Sequence, residues 1–344
     1  MDKKTVMPPK GLTLSVIFDG MSLNYGEGIG NISELKKIYR ASEIFSYLSR
    51  QAIRHEVYRL LKELFDIDVG VGEPLTTEQK VIQFKPNATI EQYVELDLFG
   101  YMKTKGKNKS SKNKQKSSTG AQEGTAEQDN ASGEESEESS GSSLIRTAVV
   151  RINPAVSLEP MLLDMEFGTN LDFARRAGAD PNPFQVEHHS SLYAYTITVE
   201  LDRVGIDPND GIVLSAQEKA RRVNLLLDAV KFLNRNIRGR MENLNPLFVI
   251  GGVYDVKNPF FLGRLRVQYN NTSRKYLVDT ELLSSVLEIT FNNKAVKDDT
   301  YIGFIKGYWE NEKNIQSLVP EQQSGSVNHF FEILKAKVKQ YYGV

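Results

Sequence analysis

Between Tyr101 and Ser143 the chain reads YMKTKGKNKSSKNKQKSSTGAQEGTAEQDNASGEESEESSGSS, almost without large apolar residues. Such a segment cannot bury enough surface to offset the entropy of ordering it. It is expected to be a disordered charged insert, residues 101–143, so any fold must be assembled from the two flanks. Its first half holds seven lysines (Lys103 to Lys116) and its second half seven acids (Glu123 to Glu138). These cancel, and the net charge of −1 belongs to the flanks. The alternative for the lysine-rich half is a basic arm that touches nucleic acid.

The flanks mix strand and helix signals. Leu12, Leu14, Val16 and Phe18 alternate, as in a half-buried strand. From about Ala41 to Phe65 the spacing becomes helical, with Ile53, Val57, Leu60, Leu61 and Leu64 on one face. LYAYTITVELD alternates again. SAQE then opens a second helix, with Ser215 and Glu218 as a capping box and a stripe of Val223, Leu226, Leu227, Val230 and Ile237. LFVIGGVY is apolar on both faces, as a central strand is. GRLRVQYNNTSRKYLV predicts a hairpin turning at Asn270–Asn271, and VLEITF and YIGFIKGYW predict further strands. A last helix carries Val327, Phe330, Phe331, Leu334 and Val338. The order fits an α+β chain with a ferredoxin-type βαββαβ core.

Composition removes several function classes. The chain lacks cysteine, which excludes disulfides, thiol nucleophiles and cysteine-held zinc or iron–sulfur groups. Four histidines, His55, His188, His189 and His329, form no spaced metal-binding pair. No metal and no cofactor are expected. No apolar run approaches the roughly 20 residues of a membrane span, and the N-terminus lacks a signal peptide's apolar stretch. A cytoplasmic protein without a membrane partner is expected.

The first strand feeds a glycine-rich loop, SLNYGEGIGN, with Gly26, Gly28 and Gly30 as G-x-G-x-G. The spacing is not the dinucleotide fingerprint, and no Gly-Lys-Ser/Thr follows. Glycines still permit close backbone approach, to a ligand or to the chain itself. Asn24 and Asn31 flank the loop and Lys36 and Lys37 follow. On the next helix Arg50 and Arg54 share one side, with Gln51 beside them. Loop and arginines together read as a phosphate rail; the alternative is a solvated helix edge.

LNYGEGIGNISELKKI, SYLSRQAIRHEV and VELDLFGYM resemble the backbone subunit of type I CRISPR Cascade complexes, in the DevR-like branch of the RAMP superfamily, subtype I-B. The resemblance continues more loosely through IRTAVVRINPAVSLEPMLLDMEFGTNLDF and NPFQVEHHSSLYAYTITVELDRVG. It implies a modified RRM-like palm, from residues 1–100 and 191–344, with finger and thumb insertions, the finger/thumb segment being 144–190. It further implies a non-catalytic scaffold that lines up head to tail along a CRISPR RNA and presents it for pairing with target DNA. The partners would be CRISPR RNA, other copies of the chain and other Cascade subunits. By the same analogy Asn24, Asn31, Lys36, Lys37, Ser49, Arg50, Gln51 and Arg54 would hold guide phosphates. Asp164 to Tyr193 would be the thumb, with Phe184, His188 and His189 as candidates to wedge or stack on a base; the alternative for Phe184 is a packing anchor at the thumb root. Arg146 and Arg151 are RNA contacts or solvated strand ends, and Gly251 and Gly252 mark a close approach to RNA or a bulge.

Two rival readings remain. Related subunits of other CRISPR types cut RNA with a loop aspartate, which makes Asp19, and secondarily Asp164, candidates in a metal-dependent endoribonuclease. Strand scission wants metal or acid–base help, and the sequence displays no cluster that supplies it. A transcriptional regulator is the third reading, and no helix-turn-helix pattern supports it.

Overall fold

The alternating run after residue 10 forms β1, Gly11–Met21, but Gly11 to Phe18 are buried on both faces, where alternation had predicted one. Leu12, Leu14, Val16 and Phe18 face a helical layer. The opposite face carries Ile17, which packs with Phe248 and Phe304, and the short polar Thr13 and Ser15, which bond internally. Thr13 donates to the Asn258 carbonyl at 2.9 Å, and Ser15 meets Thr196 at 2.6 Å. Burial without an apolar side chain is tolerated because each hydroxyl has a partner.

The computed structural model describes residues 7–26, 28, 30–67, 75–76, 82–104, 143–162 and 164–344. From residue 105 to 142 the charged insert lies outside the described residues. Its root is ordered: Tyr101–Thr104 pairs with Ser143–Arg146. Lys103 is therefore a buried part of the fold, bonded to the Ala88 carbonyl (2.9 Å) and Asp210 (2.6 Å).

The other elements of the main sheet, its covering helices and the arm are, in chain order, β2 (Lys37–Arg40), β3 (Glu43–Leu48), α1 (Arg50–Phe65), β4 (Val150–Ile152), β5 (Ala155–Ser157), β6 (Asp164–Thr169), α2 (Leu171–Ala177), β7 (Pro183–His188), β8 (Ser190–Glu200), α3 (Ala216–Lys231), β9 (Phe248–Tyr254), β10 (Thr300–Phe304), β11 (Ser324–Ser326) and α4 (Val327–Tyr342). The main sheet runs β11-β10-β9-β1-β8-β5-β3-β2, with β4 also on β8. Within it β1, α1, β5, β8, α3 and β9 give the expected βαββαβ order. Their strands lie as β9-β1-β8-β5 with antiparallel neighbours. Helices α1, α3 and α4 cover one face. The segment from Phe261 to Val319 covers the other, around Phe248, Phe304 and Trp309. β4 and β5 draw the sheet from the segment assigned to finger and thumb, so the arm proper starts at β6.

Several local expectations shift. The helix expected from Ala41 starts at Arg50, because Ala41 and Ser42 take positive φ (50° and 67°) and turn β2 into β3. Ser49 caps α1, its hydroxyl accepting from the Ala52 N–H at 3.3 Å. Ile53, Val57, Leu60 and Leu61 are buried, whereas Leu64 is half exposed. Ser215 caps α3, but Glu218 turns to Arg221 and Arg222 instead of back to the cap. Ile237 lies beyond α3, in a hairpin of Asn234–Ile237 with Arg240–Asn243. The hairpin around Asn270 forms as expected. VLEITF is split: Val286 and Leu287 close a helix, Thr280–Leu287, because both sides of that turn find apolar cover, and only Thr290–Phe291 is strand, paired with Lys294–Ala295.

Candidate nucleic-acid interface

The glycine loop folds on its own chain. Gly26 N–H donates to the Glu34 carbonyl and Lys36 N–H to the Asn24 carbonyl, both at 2.8 Å. A Cβ on Gly28 would stand 2.6 Å from the Ile32 carbonyl oxygen, and Gly30 has φ +60°. The need for glycine at these two positions is internal, a tight turn. Ile32–Ser33 then pairs in parallel with β7.

That pairing ties the loop to an arm, the β6–α2–β7 hairpin. Asn31 donates through Nδ2 to the Pro183 carbonyl at 2.8 Å. Lys37 meets Glu187 at 2.7 Å, and the other Glu187 oxygen accepts from the Leu35 N–H at 2.7 Å. Glu187 is a joint that sequence inspection missed, since its partners lie about 150 residues upstream. Asn31 and Lys37 thus hold the arm. Lys36 has no ion pair among the described residues. On the arm Phe167, Phe173 and Phe184 are exposed, with Phe184 lying over Gly168. His188 bridges Ser22 (3.2 Å) and Glu166 (2.7 Å), both through ring nitrogens.

A second cluster lies at the start of α1. Arg50, Arg54 and Arg151 line one cleft of about 110 Å³ with Phe99, Ala148, Val150 and Ile152. Arg54 pairs with Glu95 at 2.9 Å and packs over the rings of Tyr58 and Phe99, each 5.0 Å away. Arg151 is 52% exposed and pairs with Glu200. Burial works against the Glu200 carboxylate, but hydrogen bonds from Arg203, Arg151 and Lys257 outweigh it and hold its pKa below the ordinary value. Arg50 is exposed and has no ion pair among the described residues. The first turn of α1 contains no acidic side chain, so its N-terminal dipole adds to the positive field. Gln51 is exposed beside Arg50. Ser49 is committed to its cap. No described residue of the glycine loop lines this cleft, so loop and arginines form two sites rather than one cradle.

Other expected contacts are interior. Arg146 is 5% exposed and donates to Asp97 (2.6 and 2.8 Å) and to the carbonyls of Arg203 and Ile206, so it is a structural cation and not an RNA contact. His189 is buried; its Nδ1 bonds to Ser46 at 2.7 Å, and it cannot wedge against a base as placed. Gly251 and Gly252 sit in unbroken register with β1 and β10, so there is neither a bulge nor an opening to a ligand. A Cβ on Gly251 would lie 2.1 Å from the Thr13 carbonyl oxygen, and one on Gly252 1.8 Å from that of Asp299. The close approach read from these glycines is to the chain's own backbone.

Asp19, at the exposed end of β1, lines a polar hollow of about 370 Å³ with Glu242, Asn243, Asn245 and Tyr308. Burial raises its pKa, with Glu159 and Glu242 adding repulsion. Asp164 is an exposed start of β6. Beside the glycine loop, Arg238 stacks on Tyr25, its guanidinium carbon 3.8 Å from the ring centroid. Its only sequence signal is the Arg238–Gly239 pair, a two-residue hairpin turn.

The family model described as CRISPR-associated negative auto-regulator DevR/Csa2 matches residues 12–274. No curated protein matches the chain. Among solved structures, a chain of a "CRISPR RNA-guided surveillance complex" superposes with TM-score 0.52 at 13% identity, covering 95% of this chain and 99% of that one. A chain of a "CRISPR RNA-guided surveillance complex, pre-nicking" gives 0.56 at 12%, covering 96% and 100%. At these identities the likeness is one of fold. No described helix is long and apolar enough to cross a membrane.

Proposed function

The chain belongs to the CRISPR-associated DevR/Csa2 family, and on that premise we propose that it is a non-catalytic scaffold that coats a guide RNA. Successive copies line up along the strand, with other subunits of a surveillance complex, and leave the guide's bases free to pair with target DNA. The observation that carries this reading is the cleft where Arg50 and Arg54 meet Arg151, 97 residues beyond Arg54 in the chain (54 to 151). Such a cleft holds phosphate without reading bases, as a protein that accepts any guide sequence requires. The arm supplies exposed aromatic surface for stacking at intervals.

The test is RNA retention. Protein purified with its CRISPR array should carry RNA of guide length, and Arg50→Gln with Arg151→Gln should lower that retention. Each lost phosphate contact reduces the salt slope of binding by about 0.7, so the double variant should lose about 1.4. Unchanged retention and slope would sink the reading. The hollow at Asp19 favours the second reading, an endoribonuclease. Asp19→Ala should leave RNA integrity unchanged for a scaffold and stop cleavage for a nuclease, assayed with divalent metal present.

A further inference from the structure

The hairpin Asn234–Ile237/Arg240–Asn243 lies along residues 21–25 and applies three arginines to them. Arg235 donates to the Leu23 carbonyl at 2.8 Å and pairs with Glu56 at 2.7 Å. Arg240 donates to the Met21 carbonyl at 3.3 Å and pairs with Glu242 at 3.3 Å. Arg238, at the tip, differs from both. It is exposed, has no carboxylate partner among the described residues, and rests its face on Tyr25.

Its backbone is also unusual. Arg238 and Gly239 have φ of +48° and +76°, the left-handed pair that a tight hairpin turn demands. Gly239 accepts this freely; an arginine does so at a cost, where asparagine is the residue the turn prefers. A cation kept in a costly conformation and left unpaired is a reason to look for a ligand. Next to Tyr25 in the chain, Asn24 is 8% exposed, and its Nδ2 has no hydrogen-bond partner among the described residues.

We propose that Arg238, stacked on Tyr25, is an RNA-binding site that takes one phosphodiester of the guide. The inference rests on the scaffold reading above and adds a contact on the side of the glycine loop, away from the Arg50 cleft. Stacking occupies the face of the guanidinium and leaves its N–H edge directed outward, the geometry suited to anionic oxygens. Among the described residues, the carboxylates that meet the hairpin, Glu56 and Glu242, are taken by Arg235 and Arg240.

The probe is a single-stranded RNA of mixed sequence, about 8 nucleotides long, titrated into the full chain over a range of salt. Arg238→Gln should weaken binding about five- to tenfold at low salt and reduce the salt slope by about 0.7. Tyr25→Leu should cause a similar loss, and the double variant little more, because both act on one guanidinium. Arg238→Asn separates folding from binding: it suits the turn, so Tm should hold or rise while affinity falls. If the parent chain binds and Arg238→Asn and Arg238→Gln leave affinity and slope intact, the inference is wrong and the scaffold reading stands. If the parent chain fails to bind RNA, both fall.

Discussion

Asp97 has no exposed surface and accepts from three directions: Arg146 at 2.8 Å, Arg222 at 3.0 Å and the Gly205 N–H at 2.8 Å. Removing the carboxylate leaves the buried Arg146 without an ion pair and Arg222 with Glu218 alone. Asp97→Ala should therefore cost about 3–5 kcal/mol in a urea titration, well above an exposed pair. The same residue explains why Arg146 looked like a surface contact in sequence. Its partners come from residues 97, 203 and 206, and nothing local marks an arginine as interior. His189 offers a pH test. Burial lowers its pKa below 6.5, against the pull of Glu159 and the Pro160 backbone. The protonated form is thus favoured in the unfolded chain, so stability is whole above pH 6.5 and falls as pH drops below it. Tm measured from pH 7 to 5 should decline, and His189→Gln should flatten that part of the curve, with the neighbouring Ser46 and Tyr193 hydroxyls still bonded to each other.

At the scale of elements, the arm is fastened by few contacts that do much. Glu187→Ala would release Lys37 and leave the buried Leu35 N–H without its acceptor, at about 1–3 kcal/mol. Hydrogen exchange at Leu35 and Val186 should speed up while the central sheet stays protected. If those amides keep their protection, the joint is not what holds the arm. The charged insert should be dispensable to folding. Its root is an antiparallel pair closed by Lys103 and Arg146, and loop length enters stability only logarithmically. Replacing residues 107–140 by a short Gly-Ser linker should move Tm by no more than about 2 °C. Element types were legible where periodicity was long: α1, α3, α4, β8 and the doubly apolar β9. They were misread where short. The spacing of β3 runs on into that of the helix that follows it, and Val286–Leu287 also suits a strand, because a few apolar residues fit either period.

For the whole molecule, the proposed scaffold role turns on two separated surfaces. One is the arginine cleft at α1 and β4; the other is the glycine loop with its arm and the Tyr25–Arg238 clamp. A scaffold of this kind should assemble to a length set by its RNA. Guides differing in spacer length should yield particles whose mass, by light scattering, rises in whole-copy steps; a single mass for all lengths would refute the head-to-tail arrangement.

The amino-acid order by itself determined the local matters: which runs bury a stripe, where Ser49 and Ser215 cap helices, and that the span around 105–142 has too little apolar surface to found a core. Those follow from neighbours a few residues apart. Only the tertiary structure decided that β1 is covered twice, that Arg146 and His189 face inward while Arg50 and Arg151 face one cleft, and that Gly251 and Gly252 admit other strands. Each depends on contacts between residues tens to hundreds of positions apart, and burial, which sets what a charge can touch, has no local signature.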